Sequence, residues 1–148
     1  MKEKFFDLEI VTPLQILYHE KVKHVRLPGT EGYLGILAGH APLVTTLKIG
    51  EIKVDLEKET KYFATSGGIA EVLPFSTTIL VETAEEASQI DLKRALASRK
   101  RAKEQIKSKL NEIDRQQAQE SLKKAENRLS IAKHLKNNVE DLDENEQH

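Results

Sequence analysis

All seven aromatic residues, all seven glycines and all four prolines of this 148-residue chain fall before residue 76. Glycine and proline punctuate turns, and aromatic side chains suit the faces of sheets. A stretch that lacks all three and is built from good helix formers is free to run as helix. The partition therefore predicts a β-rich first part and a helical second part, with the boundary near Ala84–Ile90. We place a β-domain over 1–86, a helical hairpin over 87–138 and an acidic tail over 139–148.

The first part alternates with period two. In FFDLEI, Phe6, Leu8 and Ile10 point one way while Phe5, Asp7 and Glu9 point the other. EIKVDLE repeats the pattern with Ile52, Val54 and Leu56 against Lys53, Asp55 and Glu57. KHVRL, YFATS, IAEVL and TTILVET read as further short strands, broken at Thr12-Pro13, Pro28-Gly29, 57–60, Gly67-Gly68 and Pro74. Many short strands at this spacing indicate a β-sandwich or flattened barrel. Ser66-Gly67-Gly68 reads as a hairpin turn.

The second part switches to the helical period. Asp91 is placed to cap a helix that carries Leu92, Leu96, Ile106 and Leu110 on one stripe. Residues 111–114 suggest a turn, and Asp114 with Gln117 suggests a capping box for a second helix. That helix repeats Ala118, Leu122, Ala125, Leu129 and Ala132 at spacings of four and three. Two helices joined this way form an antiparallel hairpin. Its seam is poor in large side chains, so its balance is one that a ligand or partner can shift.

Composition excludes some chemistry. There is no cysteine, hence no disulfide, no thiol nucleophile and no Cys-ligated zinc. No apolar run approaches the ~18 residues of a membrane span, and MKEKFFDLEI meets Asp7 and Glu9 before a signal core forms. The expectation is a soluble intracellular protein. A net charge of -1 hides a strong partition: 1–90 carries 9 Lys/Arg against 13 Asp/Glu, and 91–138 carries 14 against 6. The last ten residues, VEDLDENEQH, add five acids and no base. Their composition predicts disorder, and their charge suits them to fold back on the basic helices.

GTEGYLGILAGHAPL at 29–43 invites a nucleotide reading. A P-loop needs a lysine and a hydroxyl after its last glycine, between a strand and a helix, and here neither follows Gly35 or Gly39. The glycines read as turns and bulges of a tightly folded sheet. His19, His24, His40 and His134 include no pair at i, i+4, and His19 and His24, five apart in strand, should lie on opposite faces, so no metal site is expected. No nucleophile elbow is present, and the sequence carries no catalytic constellation.

Several motifs then occur in one order: IVTP at 10–13, GYLGILAGHAPLV at 32–44, SGGIAEVLP at 66–74, TILVETAE at 78–85, IDLKRA at 90–95 and ENRLS at 126–130. Through them the chain resembles, over roughly residues 5 to 135, the epsilon subunit of the bacterial F-type, proton-driven rotary ATP synthase. The resemblance implies an α+β chain, a ten-stranded β-sandwich followed by an antiparallel two-helix hairpin, with no catalysis of its own and no required cofactor. It implies a peripheral place on the cytoplasmic face of the bacterial cell membrane, at the foot of the central stalk. Its partners there would be the gamma subunit and the c ring, with Glu31, Gly32, Tyr33 and His40 as candidate c-ring contacts.

The helices would either fold on the sandwich or extend among the alpha and beta subunits, where they restrain ATP hydrolysis. Arg94, Arg99, Arg101, Lys103, Lys123, Lys124 and Arg128 would then meet acidic segments of beta. Some family members bind ATP on the folded hairpin as a regulatory ligand. Matched position by position, that site would comprise Glu85, Ile90, Asp91, Arg94, Ala95, Arg101, Lys124 and Arg128. Lys124 stands where the ATP-binding members carry arginine, and so lacks the planar fork. A basic helical hairpin that binds nucleic acid is the alternative reading, with the lack of aromatics for stacking against it.

Overall fold

The computed structural model describes residues 4–108 and 111–136, and the chain divides into two compact units between Glu86 and Ala87. Leu110 of the expected stripe and the acidic tail 139–148 lie outside the described residues.

The first unit holds β1 (Phe6–Val11), β2 (Ile16–Val22), β3 (His24–Gly29), β4 (Gly32–Leu37), β5 (Leu43–Leu47), β6 (Gly50–Asp55), β7 (Thr60–Thr65), β8 (Gly68–Leu73), β9 (Ser76–Val81) and β10 (Ala84–Glu86). Their hydrogen-bonded order is β10-β7-β6-β3-β5-β8-β9-β1-β2, with β4 paired to β3 alone. This is a ten-stranded, nearly closed sandwich. Neighbours pair antiparallel except β1 with β9, where Leu8 stands beside Thr77 and Ile10 beside Ile79.

Period two decides which side chains enter. Phe6, Leu8 and Ile10 are buried and their alternates are half-exposed, as the pattern of FFDLEI requires. Ile52 and Val54 from β6 join Val25, Leu27, Ile36, Phe63, Val72 and Ile79 in one apolar core. Tyr18 seals its margin, meeting Phe63 edge to face at 5.2 Å between centroids.

Two expectations fail here for topological reasons. Ser66-Gly67 is not a hairpin turn, because β7 pairs β6 and β10 while β8 pairs β5 and β9. It is a corner between strands that never pair. The Thr65 hydroxyl accepts from the Gly67 N–H at 3.1 Å, and the Thr83 N–H donates to the Ser66 hydroxyl at 3.0 Å. Gly67 has φ 101°, and a Cβ there would lie 2.8 Å from the Leu47 carbonyl oxygen, so glycine is required on two grounds. His19 and His24 do not share a strand. They sit on β2 and β3, facing Glu9 at 3.5 Å and Asp55 at 3.2 Å respectively.

The second unit opens with a 3-10 turn, Ala87–Gln89, followed by α1 (Leu92–Lys107) and α2 (Glu112–Lys136). Asp91 caps α1 as expected, its carboxylate accepting the Arg94 N–H at 3.1 Å. The second cap is Asn111, not Asp114. Asn111 Oδ1 accepts the Asp114 N–H at 2.8 Å, so the helix begins at Glu112, three residues before the sequence motif suggested.

The buried stripe of α1 is also different. Ala95 and Ala102 are fully covered, while Leu92 and Ile106 are half-buried and Leu96 remains 45% exposed. On α2 the expected alanines, Ala118, Ala125 and Ala132, are buried together with Ile131. Both helices thus bury alanine at intervals of seven, and small side chains of this kind allow close packing of two helices. Leucines too large for such a seam stand at its flanks.

Candidate functional site

Glu31, Gly32 and Tyr33 occupy the tight turn from β3 into β4. Gly29 pairs with Gly32, Pro28 with Tyr33, and Gly32 takes φ 136°, which glycine alone adopts without strain. Tyr33 is 58% exposed, with the Arg26 guanidinium 5.0 Å from its ring centroid. Arg26 in turn donates to Glu51 at 2.7 Å, so a cation held from the next strand fixes the tyrosine. The turn and the facing stretch 43–46 line a groove of about 610 Å³. His40 is not part of it. It lies beyond the other end of β4, with its ring Nδ1 2.7 Å from the Ala41 carbonyl oxygen.

The ATP-site residues divide between the two units. Glu85 is on β10 in the first, and the other seven are in the second. Within the second, helical phase sorts them. At about 100° per residue, Arg94 and Arg101 fall on one side of the Ala95–Ala102 seam, while Leu92, Leu96 and Arg99 fall on the other. The same count on α2 puts Lys124 and Arg128 on one side of Ala125, and Glu126, Leu129 and Lys133 on the other.

Leu92, Leu96, Arg99, Glu126, Leu129 and Lys133 line one common groove, which fixes how the two flanks match across the hairpin. The four cations therefore share the opposite flank. Ala95 is buried in the seam, Ile90 is half-buried, and the Asp91 carboxylate already holds the Arg94 amide. Lys124 lies 3.5 Å from Glu120, one helical turn away, and Arg128 is also engaged in an interaction of its own. Anion binding on this flank would draw on cations that are collected but already partly neutralised.

One surface escaped the sequence reading. On the outer face of the sheet the register lines up Ile69 with Leu80, Leu80 with Val11, and Val11 with Ile16. Ile69, Leu80 and Ile16 are 45%, 48% and 60% exposed, and Val44 on β5 adds 69%. The signal was present: TTILVET puts Leu80 on the face opposite Ile79 and Val81, where a water-facing strand would place a polar residue. Apolar rows of this kind mark protein contacts. Among the described residues no cluster of His, Asp or Glu has the makings of a metal site, and no helix is long and apolar enough to cross a membrane.

Comparison with known proteins agrees with both units. Residues 5–87 match the family model of the ATP synthase Delta/Epsilon chain beta-sandwich domain, and residues 88–133 match that of the Delta/Epsilon long alpha-helix domain. The chain is 45% identical over 127 residues to the ATP synthase epsilon chain of Desulforamulus reducens, covering 84% of this chain and 95% of that one. It is 41% identical over 130 residues to the epsilon chain of Bacillus licheniformis, covering 88% and 99%. Among solved structures it superposes on a chain of the Euglena gracilis mitochondrial ATP synthase, resolved as OSCP/F1/c-ring, with TM-score 0.76 and 25% identity over 86% of this chain and 81% of that one.

Proposed function

The chain belongs to the ATP synthase delta/epsilon chain family, and on that premise we propose that it joins the gamma subunit to the c ring and restrains ATP hydrolysis through its helical unit. It is an epsilon-type subunit of the central stalk. The reading places it peripherally, on the cytoplasmic face of a bacterial membrane, in proton-coupled ATP synthesis. The observation that carries regulation is the pairing of a thin, alanine-lined helix seam with a strongly basic exterior. Little buried bulk holds the hairpin closed, and its cations suit the acidic segments of beta. The apolar row on the sandwich supports a lasting contact with gamma, and the groove beside Glu31, Gly32 and Tyr33 supports a contact with the c ring.

The test is ATP hydrolysis by a soluble bacterial catalytic complex stripped of its own epsilon and titrated with this chain. Saturable inhibition at stoichiometric ratio is expected. Reversing Arg115, Lys123 and Lys124 to Glu should relieve it, and inhibition unchanged by that reversal would remove the electrostatic part. Within the same reading, ATP is a regulatory ligand of the flank that gathers Arg94, Arg101, Lys124 and Arg128. Cations from two helices on one side of a seam are what a triphosphate needs. A calorimetric titration that stays flat at millimolar ATP ends that part.

A further inference from the structure

The flank opposite the cation set is a built groove with an unusual lining. Leu92, Leu96 and Leu129 form its floor, and Arg99, Lys133, Glu126 and Ser130 complete its lining, around about 450 Å³. Leu96 is 45% exposed there, and among the described residues no acidic side chain pairs with Arg99 or Lys133. An apolar floor edged by two cations against one carboxylate fits a short segment that carries a few aliphatic side chains and negative charge for Arg99 and Lys133.

Such a segment lies in this chain. Residues 139–148, VEDLDENEQH, hold five acids, no base, and Val139 and Leu142 three apart. They fall after residue 133, where the match to the helical family model stops. We infer that residues 139–148 occupy the Leu92–Leu96–Leu129 groove, with Leu142 on the leucines and the acids against Arg99 and Lys133.

Distance allows it. The groove pairs the start of α1 with the end of α2, so it opens beside the point where the chain leaves Lys136. From Leu92 to Arg99 it runs about 10 Å at the helical rise, whereas ten extended residues reach about 33 Å. Asn137 and Asn138 are the residue type that, after glycine, most readily ends a helix and reverses the chain. Charge allows it too, because the tail offers five negatives to a segment, 91–138, that carries a net +8. The occupied groove staples α2 to α1 along the flank that the alanine seam leaves open. The inference concerns the chain by itself and holds whether or not the hairpin inhibits hydrolysis.

The absence of cysteine makes the test direct. A nitroxide on Gln147→Cys in the full chain reports, by paramagnetic broadening, which amides the tail visits. We expect loss of the Leu92, Leu96 and Arg99 amide signals at low salt, restored by Leu142→Asp and by high salt. Mere tethering near the end of α2 would broaden without regard to Leu142, so equal broadening in the two chains overturns the inference. Broadening confined to amides outside the groove overturns it as well. A mixed sample of isotope-labelled and spin-labelled chains completes the test, since groove broadening that arises only between molecules would assign the site to a second copy.

Discussion

Asp91 and Tyr18 show how much a single side chain's surroundings decide. The Asp91 carboxylate satisfies one of the orphan amides at the start of α1. Asp91→Ala should cost the helical unit about 1 kcal/mol, read by chemical denaturation, with faster hydrogen exchange confined to the first turn. Tyr18 has a different environment. Burial, assisted by Glu20, Glu59 and Glu86, pushes its phenol up from 10.0 to about 12. The unfolded phenol releases its proton first, so stability is intact below pH 10 and falls as pH rises from 10 towards about 12. Tyr18→Phe should flatten that fall. It should leave stability at neutral pH unchanged or higher, because the buried hydroxyl has no hydrogen-bond partner among the described residues. A urea series across that pH range checks both expectations, and an unchanged slope would contradict the burial argument.

At the scale of elements, alanine rather than leucine defines the hairpin. Ala102 is 2% exposed in the seam, and Ala102→Leu should force the helices apart at a cost of about 1–3 kcal/mol. The control Ala97→Leu, on the exposed face, should stay within about 0.5 kcal/mol. Far-UV circular dichroism through urea unfolding separates the two. The error in the leucine stripe has the same origin. Periodicity finds the sector of a helix that faces something, but side-chain size at close approach decides which residues of that sector become central. The acidic residue chosen as the second cap shows a related limit. Asn111 and Asp114 are both competent caps, and the one that captured the amide is the one the connection between helices brought into place.

For the whole molecule, the two units differ in what holds them. The sandwich buries Phe, Leu, Ile and Val from most of its strands, whereas the helical unit buries alanines and one isoleucine. Area removed from water per residue is therefore smaller in the second. Native-state hydrogen exchange should find α1 and α2 opening together well before the amides of β1, β6 and β9. A single opening free energy for both units would contradict this picture and weaken the case for a mobile helical regulator.

Much of this was written in the order of residues. The two-part division, the inward set Phe6, Leu8, Ile10, Ile52 and Val54, the Asp91 cap and the helical repeat through Ala118, Ala125 and Ala132 all follow from local periods and from the punctuation by glycine and proline. These are short-range effects, and a chain carries them without knowing its neighbours. The corner at Ser66–Gly68, the separation of His40 from the Glu31 turn, the apolar row from Ile69 to Ile16 and the sorting of cations and leucines to opposite flanks needed the tertiary structure. Each depends on which distant strands or helices lie side by side, and that pairing is settled by the joint packing of one core, which no local window contains.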